Sequence, residues 1–371
     1  MSEFTNIHTK RSDIRWQLLA TVSAATLSIC AAPQAASAQD QDRPTVWVEL
    51  GGQLERTNTS IEPFAPKFIL ENLGAPHNFT SPLEPERFPR SSFGGEGSIT
   101  FQPHGSDWAF TAVIRYGRSN NKKHLHQQTS TQIARTFFPG APVKYQPITR
   151  WNDTATVNRE THTILDFRAG RDLGLGLMGH ASTSNIEFGV RYAQFSSKAN
   201  TVFHSLPDQY FPKNFINFHI HHHSYYARQD LTHSFRGVGP SVAWNGSASL
   251  AGKAETSELS FDWGANASVL FGRQKVAGTH QSTGIFYSGV YNATAHSQYH
   301  NNVPMNRSHS VVVPNVGGLA GLSFRHGDAK VSFGYRADFF FGAVDGGINA
   351  RKSHDRNFYG PYATISIGLG G

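Results

Sequence analysis

Period-two alternation is the feature that most constrains what this chain can fold into. Val46, Val48, Leu50 and Leu54 share one side of an extended segment, while Glu49, Gln53 and Glu55 share the other. Phe93, Ile99 and Phe101 alternate with Glu96, Ser98 and Thr100, and Trp108, Phe110, Ala112, Ile114 and Tyr116 fall on one face. Leu165 and Phe167 oppose Asp166 and Arg168, and Phe188, Val190 and Tyr192 oppose Glu187 and Arg191. The pattern recurs over 238–244, 259–271, 316–324, 331–339 and 363–369. Side chains alternate faces along a strand, so each segment asks for a sheet with one apolar and one polar face. Most of these ten segments run to roughly 10–15 residues, whereas a mean soluble strand has about 5–6 and a tilted membrane strand needs about 9–11.

The connections carry a second signal. Short ones fall at 103–106, 172–184, 248–256 and 326–328; long ones fall at 57–91, 118–160, 199–232, 274–309 and 343–357. Short and long alternate without exception, as the periplasmic turns and outer loops of bacterial outer-membrane barrels do. A bilayer offers no water to the backbone, so strands cross it only in a closed sheet without edges. The spacing therefore predicts an all-β protein: a transmembrane antiparallel β-barrel of about ten strands, or twelve if the long loops conceal two more. Trp47, Phe93, Phe101, Tyr116, Tyr192, Trp244, Phe271, Tyr335, Phe341, Phe358 and Tyr359 are expected as interfacial aromatics. A soluble β-sandwich would show shorter strands at a spacing of about 8–12 residues.

Composition narrows the class further. Charged residues make up 16%, against roughly 25% in an ordinary soluble domain. The net charge of +7 is diffuse, with no Lys/Arg run longer than two, so nucleic acid is not an expected partner. The single Cys excludes an intrachain disulfide framework. Lys10, Arg11 and Arg15 precede the apolar stretch 18–32, and Ala36-Ser37-Ala38 has the form of a cleavage site. Residues 1–38 are read as a cleaved signal peptide and 39–371 as the barrel. Ile29 stands where a lipoprotein signal before Cys30 needs a small residue. No later stretch approaches the ~20 apolar residues of a membrane helix. The expected location is the bacterial outer membrane.

Several segments resemble the Legionella-type major outer membrane protein family. They are Asp166-Phe167-Arg168-Ala169-Gly170, Glu187-Phe188-Gly189-Val190-Arg191-Tyr192-Ala193, Phe235-Arg236-Gly237-Val238-Gly239-Pro240, Leu270-Phe271-Gly272, Pro314-Asn315-Val316-Gly317-Gly318-Leu319 and Phe333-Gly334-Tyr335. The resemblance covers roughly 160–342, and it implies an outer-membrane barrel with a pore-forming role. Two features depart from it. The chain beyond residue 38 has no Cys for cross-linking, and Leu369-Gly370-Gly371 lacks a terminal aromatic.

On a barrel of this kind the polar faces point inward. Glu49, Arg115, Asp166, Arg168, Glu187, Arg191, Asp262, Arg336 and Asp338 are therefore the candidate pore-lining residues. Such a set either fills a narrow barrel with ion pairs or forms a constriction of opposed charge. Eight-stranded barrels are nearly filled and open porins have about 16–18 strands, so ten strands leave little room. The His-rich run FHIHHHSYY places His219, His221 and His223 at alternate positions, a candidate site for Zn²⁺, Cu²⁺ or Ni²⁺ that is equally a polar loop binding metal adventitiously. No cofactor is expected. His204, Asp208 and His233 are the nearest approach to a catalytic set, and no G-x-S-x-G, P-loop or H-E-x-x-H motif accompanies them, so the chain is not read as an enzyme. The expected function is a porin-like barrel passing small hydrophilic solutes passively, with outer-membrane lipid as its other partner. The alternative is a surface-binding, adhesin-like or envelope-structural barrel with a plugged lumen. Nothing in the sequence sets an oligomeric state.

Overall fold

The computed structural model describes residues 45–369 apart from 58–67, 71–76, 80–89, 120–122, 137–143, 173–181, 207–208, 211–220, 254–255, 289–294 and 348–349. The expected signal peptide at 1–38 lies outside the described residues. The strands are β1 (Thr45–Thr57), β2 (Phe68–Leu70), β3 (His77–Phe79), β4 (Arg90–Gln102), β5 (Trp108–Ser119), β6 (Lys123–Thr136), β7 (Lys144–Asp172), β8 (Ser182–Leu206), β9 (Gln209–Tyr210), β10 (His221–Lys253), β11 (Ser257–Ser288), β12 (Ala295–His326), β13 (Ala329–Asp345) and β14 (Ser353–Leu369). No helix occurs among the described residues.

Ten of these strands close a ring. β1, β4, β5, β7, β8, β10, β11, β12, β13 and β14 pair antiparallel in chain order, and β14 returns to β1. The closing seam sets Val48 opposite Ile367 and Leu50 opposite Ile365. Every wall strand thus has a partner on both sides where the ring closes, which satisfies the backbone and removes the edges there, while the upper part of β12 above Asn315 pairs with β11 alone among the described residues. The ten alternating segments of the sequence are the ten wall strands, in order. The long connections hold four further strands, all outside the ring, so the barrel keeps ten strands and not twelve: β6 pairs only with β7 and β9 only with β10, while β2 and β3 form a separate pair.

The alternation also assigns the faces. Phe93 is 76% exposed on the outside, and Phe167 and Phe188 are each 62% exposed. Ile99, Phe110, Phe271, Val312, Phe333 and Tyr335 join them in an apolar outer band. Polar residues fill the inside instead: Asp166, Arg191, Asn315 and Asp338 are all buried. Two expected outer aromatics turn inward. Phe358 is buried in the interior, and Trp47 lines the inner mouth beside Arg325. Each occupies an inward parity position of its strand, and parity overrides aromatic character.

Most of the expected long loops are strand. Pairing between β11 and β12 continues up to Ser288 opposite Ala295, and β10 pairs with β11 as far as His222 opposite Tyr287. Wall strands accordingly run from 12 to 33 residues. β7, β8, β10, β11 and β12 form a high wall, whereas β1, β4, β5, β13 and β14 are short. In the tall extensions the inward face mixes buried apolar residues (Phe203, Leu231, Val276) with buried polar ones (Thr201, Gln229, Gln274), so its hydropathy alternation is broken. Close approach inside the barrel is made possible by glycine. A Cβ on Gly117 would lie 2.1 Å from the His162 ring, and one on Gly317 would lie 2.3 Å from Asp338 Oδ1.

Candidate functional site

The interior is built in layers, beginning at the end with the short turns. There a polar vestibule of about 600 Å³ opens between the strand ends. Trp47, Glu49, Ser98, Thr100, Glu258, Arg325, Lys330 and Ser366 contribute to its wall. Ser366 donates to Glu49 at 2.7 Å, and Lys330 pairs with Asp262 at 2.7 Å. A smaller cavity of about 300 Å³ continues inward past Asn185, Ser247 and Asp262 to Arg336 and Tyr362.

Above the vestibule lies a layer of ion pairs. Arg191 donates Nε to Asp166 Oδ1 at 2.6 Å and Nη2 to Asp166 Oδ2 at 3.0 Å. Its Nη1 reaches Asn266 Oδ1 at 2.7 Å and also Asn315 Oδ1. Arg115 pairs with Asp338 at 2.5 Å, Arg168 with Glu187 at 2.9 Å, and Arg336 with Glu96. Asp338 also lies 3.9 Å from Arg191. The Arg115–Asp338 pair joins β5 to β13, four strands away around the ring of ten, so it spans much of the lumen. All nine charged residues read from the sequence point inward, and eight of them sit in ion pairs while Glu49 is held by Ser366. Two partners escaped the sequence reading as site residues, Glu96 and Lys330, although Glu96 shows the same inward parity.

The next layer is aromatic, and sequence reasoning missed it. Phe195 of β8 meets Phe358 of β14 with ring centroids 5.4 Å apart, and these strands are five apart in a ring of ten, hence diametrically opposed. Phe195 also packs on Phe340 at 4.7 Å and on Phe235 at 5.6 Å, while His162 lies 4.1 Å from Phe358. Ile164, Ala193, Leu270, Val313, Ala343 and Val344 complete this cluster. The available signal was apolar residues at inward parity on several strands at one height. A register shift between Phe340 and Val344, with Gly342 at φ 63°, turns Ala343 and Val344 into the cluster.

A second polar layer lies above the aromatics. Glu160 accepts from Thr57 Oγ1 at 2.8 Å and from Arg356 Nη1 at 3.1 Å, linking β7 to β1 and β14. His162 Nε2 stands 3.3 Å from Glu55. Asp345 pairs with Arg307 at 3.1 Å and accepts from Lys352 N at 3.0 Å and Gly347 N at 3.2 Å. Burial alone would raise the Asp345 carboxyl, but these hydrogen bonds outweigh it and hold it below the ordinary carboxylate value. His233 is buried with Nδ1 against the Asp345 carbonyl, and its Nε2 has no partner. Burial lowers its pKa below the usual 6.5, against the opposing pull of Asp345.

The other expected sites do not assemble in the described residues. His204 is exposed on the outside of β8 while His233 is buried inside, and Asp208 lies outside the described residues, so no catalytic set forms. His219 lies outside them as well. His221 and His223 open β10, opposite Tyr210 and Phe286 respectively. No cluster of three or more metal-ligating side chains occurs among the described residues.

No family model and no curated protein matches this chain. Among solved structures it is similar to the translocator domain of the autotransporter NalP from Neisseria meningitidis, at 8% identity over 97% of this chain and 99% of that one, with a TM-score of 0.21. It is also similar to the transport unit of the autotransporter AIDA-I from Escherichia coli, at 11% identity over 93% and 97%, TM-score 0.23. A third is the P. putida toluene transporter TodX, at 9% identity over 90% and 91%, TM-score 0.16. Likenesses this distant carry no argument, and the ten-stranded barrel stands on its own hydrogen-bonded register.

Proposed function

We propose that the protein is an outer-membrane barrel with a closed interior, a scaffold that holds its tall β7–β12 wall outside the bilayer. The outer apolar band supports the membrane placement, because it inverts the ordinary arrangement in which apolar side chains face inward. The resemblance to the Legionella-type family supports the same placement. One observation carries the closed reading: side chains bridge the lumen from β8 to the opposite strand β14, above ion pairs that bridge β5 to β13. Buried contacts of this kind obstruct a wide water path along the axis. Tall polar hairpins on a rigid barrel suit recognition at the cell surface.

A second reading is passive diffusion of small hydrophilic solutes, and the open polar vestibule favours it. It requires the ionic and aromatic layers to part. Swelling of proteoliposomes in small sugars and amino acids separates the two. The closed scaffold predicts swelling no faster than that of protein-free vesicles. Swelling that scales with protein content and falls with solute size establishes the porin instead. Quenching of tryptophan fluorescence by brominated acyl chains tests the membrane placement independently, and its absence in a folded sample overturns it.

A further inference from the structure

The lining of the vestibule has a chemistry that goes beyond either reading. Its wall is dominated by hydroxyls, among them Ser98, Thr100, Ser247, Ser260, Ser323 and Ser366. Its charges are balanced: Glu49 and Glu258 against Arg325 and Lys330, with Asp262 and Arg336 added where the inner cavity continues. All but Glu258 are engaged already in the contacts that follow. Lys330 holds Asp262, Arg336 holds Glu96, Ser366 holds Glu49, and the Arg325 guanidinium stacks 5.1 Å from the Trp47 ring centre. A cavity so arranged exerts no net attraction on an anion or a cation. What it presents is forked carboxylates, guanidinium groups and hydroxyls, which match neighbouring hydroxyls on a guest, beside one indole at the rim. The Arg115–Asp338 and Arg336–Glu96 pairs close it at the inner end, so it is a cup and not a passage. At about 600 Å³ it falls in the size range of small-molecule sites, roughly 300–1,000 Å³.

We propose that this vestibule is a binding site for a neutral saccharide of one or two rings, entering from the side of the short turns. In a bacterial outer-membrane barrel that side faces the periplasm. The cup-like form rests on the closed-interior reading, but the lining chemistry does not. Trp47, its ring held under the Arg325 guanidinium, supplies an apolar indole edge at the rim for a sugar C–H face. Gly368 makes room for it, since a Cβ there would come within 3.1 Å of the indole.

The test is calorimetric titration, with tryptophan fluorescence in parallel, of the full chain folded in an amine-oxide detergent. Glycoside detergents carry a sugar headgroup and would occupy the site. Maltose and N,N′-diacetylchitobiose are the probes, so that a free sugar is distinguished from an N-acetylated wall glycan; saturable binding of either supports the proposal. Trp47→Ala is expected to weaken it by about tenfold, the loss of one aromatic contact, with Trp47→Phe retaining most of the affinity. Trp108→Phe, on the outer face, leaves it unchanged. No saturable binding by the folded wild type overturns the proposal, as does tighter binding of a sugar phosphate than of the neutral sugar. A parallel conductance measurement keeps the two readings apart. A silent barrel that binds sugar upholds both; a conducting barrel whose current sugar blocks refutes the closed interior and keeps the site; a silent barrel without sugar binding refutes the site alone.

Discussion

Arg191→Met asks by thermodynamics whether the lumen is filled. Arg191 is 2% exposed and makes two bonds to Asp166, at 2.6 and 3.0 Å, with further bonds to Asn266 and Asn315. Methionine fills most of the same volume but removes every donor. Asp338 keeps Arg115 at 2.5 Å, whereas Asp166, also 2% exposed, loses both bonds from Arg191. Removing one partner of a buried pair costs about 3–5 kcal/mol, because the remaining charge is left desolvated. The same pair in a water-filled channel would be worth only about 0.2–1 kcal/mol. The assay is reversible urea unfolding of protein refolded into short-chain lipid vesicles, followed by tryptophan fluorescence. The filled interior predicts a loss of about 3–5 kcal/mol for Arg191→Met, most of it recovered when Asp166→Leu is added, since a buried pair replaced by apolar groups is often neutral. A loss under about 1 kcal/mol would refute burial, and with it the closed lumen.

The outer band gives a contrasting prediction: Phe188→Arg, near the middle of it, should cost about 2–4 kcal/mol in the same vesicle assay, and no loss would mean that this face is not in lipid. Truncating the bridge across the barrel, Phe195→Ala with Phe358→Ala, should cost about 3–5 kcal/mol per ring; unchanged stability would show that the rings do not pack. For pH, the His233 pKa is depressed in the folded state, so the unfolded chain takes up its proton first and stability falls as pH drops below 6.5. Asp345 also has a depressed pKa, so its contribution is present above 3.8 and is lost as pH falls through its folded value. His233→Gln should flatten the urea midpoint between pH 7 and pH 5 (a range of about two units around the His value) and leave the steeper acid limb of Asp345, whereas an unchanged slope would show that His233 titrates normally. For the histidine run, Zn²⁺ calorimetry on the folded protein should match that of a free peptide spanning His219–His223 if binding is adventitious, and markedly tighter binding by the protein would establish a built site.

The wall was legible in the sequence because a strand with an apolar outer face and a polar inner face alternates at period two. Val238, Pro240 and Val242 against Gly237, Gly239 and Ser241 gave the orientation of β10 without any tertiary information. The inward charges were legible for the same reason. The aromatic layer was not, since Phe195, Phe340 and Phe358 carry no mark of facing one another; only the ring order brings β8, β13 and β14 together. The tall extensions were hidden as well. Residues 199–206 and 274–288 place apolar Phe203 and Val276 on the same inward face as polar Thr201 and Gln274, and Val202 on the other, so the alternation is too mixed to be read. Trp47 and Phe358 show the converse, where residue type suggested an outer girdle and parity placed both inside.

Single-channel recording of the wild-type protein in a planar bilayer addresses the central claim most directly. The bridged interior predicts a silent baseline from protein shown to be inserted and folded, with openings only after truncation of Phe195 and Phe358 is combined with Arg115→Ala and Asp338→Ala, which removes the ionic bridge as well. Discrete, protein-dependent openings of the unaltered chain would contradict it.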